Sequence, residues 1–264
     1  MPYDDWRARM GGNAFDDGDV ARAYDFRPPY APAMFDFLAG LVSRKNVLVD
    51  LGCGPGKVAA ALADRFERVV AVDASGPMIE RARELHAERH LNIAWQHAPA
   101  EDATLPERID LVTAGTSIHW MKHGVLFPIL AERTSLVAVI AGDAPSAATW
   151  QAEENALLTA WLARIGIRFD PAAFAAKGRS FETWMNIAGE KEFRFEFQQS
   201  VADYIACQHS RATFSRARMG DDLAAAFDAE YGAALAPFAR NGILRVSLTT
   251  SLTWGMPRTI EKQL

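Results

Sequence analysis

Apolar positions recur along the chain in two alternating periods. Val47-Leu48-Val49-Asp50-Leu51, Val69-Val70-Ala71-Val72-Asp73, Ile109–Ala114 and Leu136–Ala141 are short, nearly unbroken apolar runs. Such runs fit strands buried on both faces of a parallel sheet. Asn92–Gln96 is a weaker candidate between the second and third of them. Between the runs lie helical patterns: alanine-rich Lys57–Phe66, a segment that Ser75 can cap and that reaches about His86, and Gly124–Glu132. Upstream, Asp19–Asp25 reads as a short helix. Arg27-Pro28-Pro29-Tyr30 must be extended, because proline disfavours helix in the residue before it. Ala31–Val42 then has helical spacing. Strand and helix alternating at these intervals predict βαβ units in an α/β, doubly wound, Rossmann-like sheet.

The alternation stops after Asp143. Trp150–Ile165 is an amphipathic helix by its spacing of Leu157, Leu158, Trp161, Leu162 and Ile165, and Phe181–Ile187 also reads as helical. Phe193, Phe195 and Phe197 alternate as in a half-exposed strand. Val201–Cys207 and Asp222–Ala239 read as helices, and Ile243–Trp254 as a final strand. The expected fold is therefore a seven-stranded, mostly parallel sheet with an antiparallel C-terminal strand. All of 1–264 is read as one domain: 1–143 as its main ligand-binding part, 144–190 as a helical cap insertion on the sheet's carboxyl edge, and 191–264 as the strands and helices that complete the sheet. That edge is where doubly wound folds bind ligands.

Composition narrows the classes. Half of the residues are hydrophobic and 23% are charged, which is ample for a core and excludes disorder as the main state. With 28 Lys and Arg against 33 Asp and Glu, the net charge is −5, which argues against the basic field of a nucleic-acid binder. Two cysteines, Cys53 and Cys207, are too few for a disulfide framework or a Cys-based zinc site. The first residues lack a signal-peptide pattern, and the purest apolar run, Leu136–Ala141, is far below the ~20 residues that span a bilayer. The expectation is a cytoplasmic protein without membrane or nucleic-acid partners, monomeric or homodimeric.

The first strand runs into Asp50-Leu51-Gly52-Cys53-Gly54-Pro55-Gly56. A dinucleotide fingerprint requires glycine where Lys57 stands. A phosphate-binding P-loop requires Ser or Thr after the lysine, where Val58 stands. Pro55 also removes a backbone donor. The loop therefore suits close approach by an uncharged or zwitterionic ligand better than phosphate. Asp73 ends the second strand, where a carboxylate can accept from both hydroxyls of a ribose. Glu101 follows the third, where an acid beside a backbone amide can read an adenine edge.

At these residues, from about Tyr24 to Asp143, the chain resembles the class I S-adenosylmethionine-dependent methyltransferases. Tyr24…Arg27-Pro28-Pro29-Tyr30 and Ser117-Ile118-His119-Trp120 are similar to the small-molecule branch that includes trans-aconitate methyltransferases. The resemblance implies S-adenosylmethionine as cofactor, S-adenosylhomocysteine as product, and no metal. It implies that Asp50, Gly52 and Gly54, with Cys53 and Gly56 completing the loop, surround the methionyl moiety. Asp73 would bind the ribose, Ala74 and Met78 would border the adenine, and Ala100-Glu101 would read its edge. Ala114, with Gly115 beside it, would lie against the methionyl group, while Tyr24 and Arg27 reach its carboxylate. Two positions depart from the branch: Ala31 precedes Pro32, and Met121-Lys122 stands where aromatic-Asp is usual. Arg27-Pro28-Pro29-Tyr30 also resembles the Asn/Asp-Pro-Pro-Tyr of exocyclic-amine methyltransferases, but arginine cannot accept the hydrogen bond that motif requires.

The implied reaction is in-line methyl transfer to an oxygen or nitrogen of a small-molecule acceptor, a carboxylate among the candidates. A hydroxyl or protonated amine requires a base, for which His119 is the candidate, with Trp120 as a pocket wall. A packed, hydrogen-bonded His119 is the competing reading. His123 and His209 read as surface residues. Trp150, Trp161, Phe174, Phe181 and Trp184 read mainly as the cap's own core. Arg211, Arg216 or Arg218 is a candidate partner for an acceptor carboxylate, against a solvated basic face. The other function classes are a methyltransferase acting on RNA or protein, which lacks its expected basic module here, and a non-catalytic cofactor binder.

Overall fold

The computed structural model describes residues 15–142, 149–168 and 170–259. It contains one seven-stranded sheet in the order β3-β2-β1-β4-β5-β7-β6. The strands are β1 (Val47–Leu51), β2 (Arg68–Asp73), β3 (Ile93–His97), β4 (Leu111–Gly115), β5 (Val137–Ala141), β6 (Met185–Ser200) and β7 (Ile243–Pro257). β1 to β5 pair in parallel, and β7 runs antiparallel to β5. The strand order reverses at β1, between its neighbours β2 and β4, so the switch point lies at the carboxyl ends of β1 and β4.

The helices are α1 (Gly18–Ala23), α2 (Pro32–Gly40), α3 (Lys57–Leu62), α4 (Gly76–His86), α5 (His123–Arg133), α6 (Gln151–Arg164), α7 (Pro171–Gly178), α8 (Val201–Gln208), α9 (Arg216–Met219) and α10 (Asp221–Leu235). Short 3-10 turns extend α1, α3 and α10 to roughly the predicted ends. Ser75 caps α4 by accepting from Met78 N at 3.2 Å, with Pro77 tolerated in the first turn.

One predicted element is wrong. Phe181–Ile187 is not a helix: a single 3-10 turn, Glu182–Trp184, leads straight into β6. The helical part of 144–190 therefore stops at Gly178. The cause is the close fit of β6 to β7: a Cβ at Gly255 would fall 2.2 Å from the Asn186 carbonyl oxygen, and one at Gly189 2.4 Å from Trp254. This strand-to-strand contact overrides the local helical spacing.

The chain divides into two compact units, and the division falls within β6 and β7. One comprises Pro29–Gly142, Ala172–Phe193 and Thr250–Leu264, and it carries β1 to β5. Its core includes Val49, Leu51, Val70, Val72, Val112, Phe127 and Leu130. The other comprises Met1–Pro28, Asp143–Pro171 and Arg194–Thr249, built on Trp150, Trp161, Phe214, Phe227, Tyr231 and Leu244. There Glu154 is buried and accepts hydrogen bonds from the hydroxyls of Tyr204 and Tyr231. Among the described residues no helix is long and apolar enough to cross a membrane.

Candidate functional site

The carboxyl ends of β1, β2 and β4 converge on the glycine loop. Gly52, Gly54 and Gly56 have φ of 63°, 53° and 87°. At Gly52 a Cβ would fall 2.4 Å from the Ser117 Cβ, and at Gly56 2.5 Å from the Trp95 ring, so neither position admits a side chain. The loop's donors are turned inward. Cys53 N donates to Val72 O at 2.9 Å, Gly56 N to Cys53 O at 2.9 Å, and Gly54 N to Asp73 Oδ2 at 2.7 Å. Pro55 has no N–H at all. These engaged donors leave a poor phosphate cradle, in line with the sequence.

Asp73 ends β2 half-exposed, and its other oxygen accepts from Ser75 N at 2.8 Å. Asp50 differs in kind. It is 1% exposed, accepts from Thr113 Oγ1 at 2.8 Å and from Ala59 N at 3.1 Å, and joins β1 to β4 and to the start of α3. Burial pushes its carboxyl up to about 7, against the lowering by those two bonds, and the nearby Asp73 charge raises it further. Cys53 is buried, and burial raises its thiol well above the ordinary range, as for an inert filler.

Of the other predicted cofactor residues, Ala74 is exposed and its carbonyl meets His97 Nε2 at 3.2 Å. Gly115 is half-exposed, with the Tyr30 hydroxyl 3.0 Å from where a Cβ would sit. Met78, Ala100 and Ala114 are buried. Glu101 is half-exposed and accepts from Lys122 N. Tyr24 and Arg27 belong to the other compact unit. There Arg27 lies 3.9 Å over the Tyr24 ring and donates to Ser210 Oγ at 2.7 Å and to Ser210 O at 3.0 Å.

Ser117 to Trp120 pack beside the loop. Ser117 Oγ donates to Leu51 O at 2.7 Å, and the His119 and Trp120 rings lie 5.0 Å apart, both half-buried. His123 is not a free surface residue: its Nε2 meets Ile118 O at 2.8 Å, and burial lowers its pKa. His209 is buried, with Nδ1 2.7 Å from Phe214 O and Nε2 2.7 Å from Asp228. The aromatic set also divides: Trp150 and Trp161 are in the core of their own unit, but Phe181 and Trp184 pack into the sheet's core. Phe174's side chain lies outside the described residues. Arg211 donates to Gln208 at 3.1 Å, and Arg216 pairs with Asp228 at 2.6 Å.

Sequence reasoning missed four features. Thr113 faces Asp50 because the parallel register sets them opposite each other. Thr116 holds φ 52°, a left-handed conformation costly for a β-branched residue. It is retained by Thr116 N donating to Ile140 O at 2.8 Å and by the Tyr30 hydroxyl, 2.9 Å from Thr116 Oγ1. His86 stacks on Trp95 with centroids 6.0 Å apart, and its Nε2 meets Pro55 O at 3.2 Å behind the loop. Lys177 sets its Nζ 5.5 Å from the Trp120 ring centroid. Only the pairing of Gly56 with a bulky neighbour had a local sign, its position in the glycine loop. Among the described residues no group of three or more His, Cys, Asp or Glu is placed to hold a metal.

Comparison with known proteins fits this geometry. Residues 48–139 match the family described as a methyltransferase domain. A trans-aconitate 2-methyltransferase from Streptomyces coelicolor is 35% identical over 105 residues, 37% of this chain and 34% of that protein. A Dictyostelium discoideum protein named as a candidate methyltransferase is 30% identical over 132 residues, 47% of this chain and 48% of that one. The chain thus aligns with less than half the length of these curated relatives. A solved structure from Anaeromyxobacter dehalogenans, described as a candidate type II methyltransferase, superposes with a TM-score of 0.69 at 23% identity, covering 89% of this chain and 99% of that one. That likeness bears on the fold. The sheet order, the glycine loop with its paired acid and the match over residues 48–139 agree: this part of the chain is similar to methyltransferase domains, on a Rossmann-like sheet.

Proposed function

We propose that the chain transfers the methyl group of S-adenosylmethionine to an oxygen or nitrogen of a small-molecule acceptor, releasing S-adenosylhomocysteine. The observation that carries this reading is Asp73. Its carboxylate is fixed by Gly54 N and Ser75 N at the end of β2, beside a loop whose own donors are engaged, where a carboxylate can accept from the two hydroxyls of a ribose. Gly52 and Gly54 let the backbone approach the methionyl part. Ala74 and Glu101 border the base, and Gly115 lies at the methyl end. The names of the trans-aconitate relatives support a small-molecule acceptor.

S-adenosylmethionine, when bound, supplies an already activated methyl group, so the protein's work is mainly alignment and exclusion of water. Trp120 forms a wall that orients the acceptor. His119 accepts a proton where the acceptor is a hydroxyl or a protonated amine, and is dispensable for a carboxylate.

Titration calorimetry with S-adenosylhomocysteine tests the cofactor site. Asp73→Ala removes two charge-assisted hydrogen bonds, each worth about 1.5–3 kcal/mol, and is expected to weaken binding about a hundredfold or more. Unchanged affinity would overturn the ribose assignment. A tritiated-methyl assay against a metabolite extract, with mass identification of the product, tests the reaction. Label appearing only in RNA or protein would replace the small-molecule reading.

A further inference from the structure

Among the described residues three non-glycines hold a positive φ: His90 at 46°, Thr116 at 52° and Asn241 at 51°. His90 and Asn241 are exposed and belong to types that visit this region readily. Thr116 is β-branched, so the left-handed conformation is a true outlier for it, and it follows β4 at the switch point. Glycine or asparagine would adopt the same turn at far less cost. Such strain persists only where the surroundings over-determine it, and it clusters at functional sites.

The surroundings of Thr116 are specific, and all belong to the unit that carries β1 to β5. Thr116 N donates to Ile140 O at 2.8 Å, which fixes the backbone from the β5 side. The hydroxyls of Thr116 and Tyr30 share a hydrogen bond of 2.9 Å, which fixes the side chain. The Tyr30 hydroxyl also lies 3.0 Å from where a Cβ on Gly115 would sit, so the bare backbone at 115 gives the phenol its seat. Tyr30 is buried on a rigid stalk. Pro29 precedes it, Ala31 N donates to the buried Thr250 Oγ1 at 3.0 Å, and α2 starts at Pro32.

Thr116 sets the direction in which the chain leaves β4. Its left-handed turn aims the next residue back at the glycine loop. Ser117 Oγ donates to Leu51 O at 2.7 Å, and its Cβ lies 2.4 Å from where a Cβ on Gly52 would be. A Thr116 relaxed into the extended or helical region would swing Ser117 off the loop. The close approach of Ser117 to Gly52 thus depends on a hydroxyl supplied from 86 residues upstream.

We propose that Tyr30 is a positioning residue for the methyl-donor site. Through its hydrogen bond to Thr116 it holds the turn after β4 in the left-handed conformation that seats Ser117 against the glycine loop. This role rests on the S-adenosylmethionine reading above and adds to it a residue that acts through another. No bond is made or broken at the phenol.

The test uses the full chain as wild type, Tyr30→Phe, Thr116→Val, Thr116→Gly, and Tyr30→Phe combined with Thr116→Gly. Tyr30→Phe removes only the hydroxyl, and Thr116→Val keeps the branched shape but loses the hydrogen bond. Each of these two is expected to weaken S-adenosylhomocysteine binding about tenfold by calorimetry. Thr116→Gly takes the turn without strain, so it is expected to bind within about threefold of wild type, and adding Tyr30→Phe to it is expected to cost less than about twofold. That rescue marks action through Thr116, because a phenol that only packs or that touches the ligand itself would cost the same in both backgrounds. Hydrogen exchange of the peptide covering 112–121 is expected to run severalfold faster in Tyr30→Phe than in wild type, with no such change between Thr116→Gly and the combined variant. Unchanged affinity in either Tyr30→Phe or Thr116→Val, a loss that persists in full in the Thr116→Gly background, or unchanged exchange in Tyr30→Phe would overturn the proposal. Wild type that fails to bind S-adenosylhomocysteine while Tyr30→Phe still speeds exchange removes the methyl-donor reading and sustains the hold of Tyr30 on the turn.

Discussion

Asp50 and His86 show how single side chains govern the loop without being exposed to a ligand. Asp50's folded pKa of about 7 lies above its ordinary value of 3.8, so folding favours the protonated form. Stability is then highest below pH 4 for this group and falls as pH rises to about 7, by on the order of 4 kcal/mol in total. Asp50→Asn keeps an acceptor for Ala59 N and turns its amide toward Thr113 Oγ1, which can accept. Chemical denaturation across pH 4 to 8 is expected to show a flatter stability profile for the variant than for the wild type. An unchanged slope would mean that Asp50 does not titrate there. His86 supports the loop from behind through Pro55 O and the Trp95 stack. His86→Phe preserves the stack and removes the hydrogen bond, ordinarily worth about 1 kcal/mol, so Tm is expected to fall by only about 2–4 °C while S-adenosylhomocysteine affinity drops severalfold. Asp50 and the loop were legible in sequence because they are contiguous. Thr113, His86 and Lys177 were not, since each meets the site only through strand register or helix packing.

The glycine loop and the turn after β4 fit one another as two rigid pieces. Gly52→Ala would add a Cβ in a left-handed conformation and press it against Ser117, whose hydroxyl is tied to Leu51 O. The expected cost is about 1–3 kcal/mol in stability, with loss of cofactor binding, read by thermal denaturation and calorimetry. Full affinity in a folded Gly52→Ala variant would show that the loop does not need this close approach. Strands β1, β2, β4 and β5 were read almost to their ends, because a fully buried parallel strand leaves an unbroken apolar run. The start of β6 was misread for the opposite reason. Met185–Glu192 lies at the sheet's edge with most side chains in solvent, so no apolar run marks it, and its pairing with β7 through Gly255 and Gly189 is invisible to local periodicity.

Each compact unit has its own core and its own buried polar centre. In the unit built on α6, α8 and α10, Glu154 is the shared acceptor for two buried phenols, and burial raises both phenols well above the ordinary tyrosine range. Glu154→Ala would leave both hydroxyls without that acceptor, costing about 2–4 kcal/mol. Hydrogen–deuterium exchange is expected to accelerate in α6, α8 and α10 while β1 to β4 keep wild-type protection. Uniform acceleration across both units would show a single cooperative body instead. The sequence alone determined the parallel sheet, the glycine loop and the acids at its strand ends, because burial period and loop chemistry are local properties. Tertiary structure alone decided which acid is buried and which faces outward, that Phe181 and Trp184 serve the sheet's core, and that the cation beside Trp120 is Lys177. Those outcomes depend on which residues the fold brings together across long stretches of chain, and no local pattern encodes that.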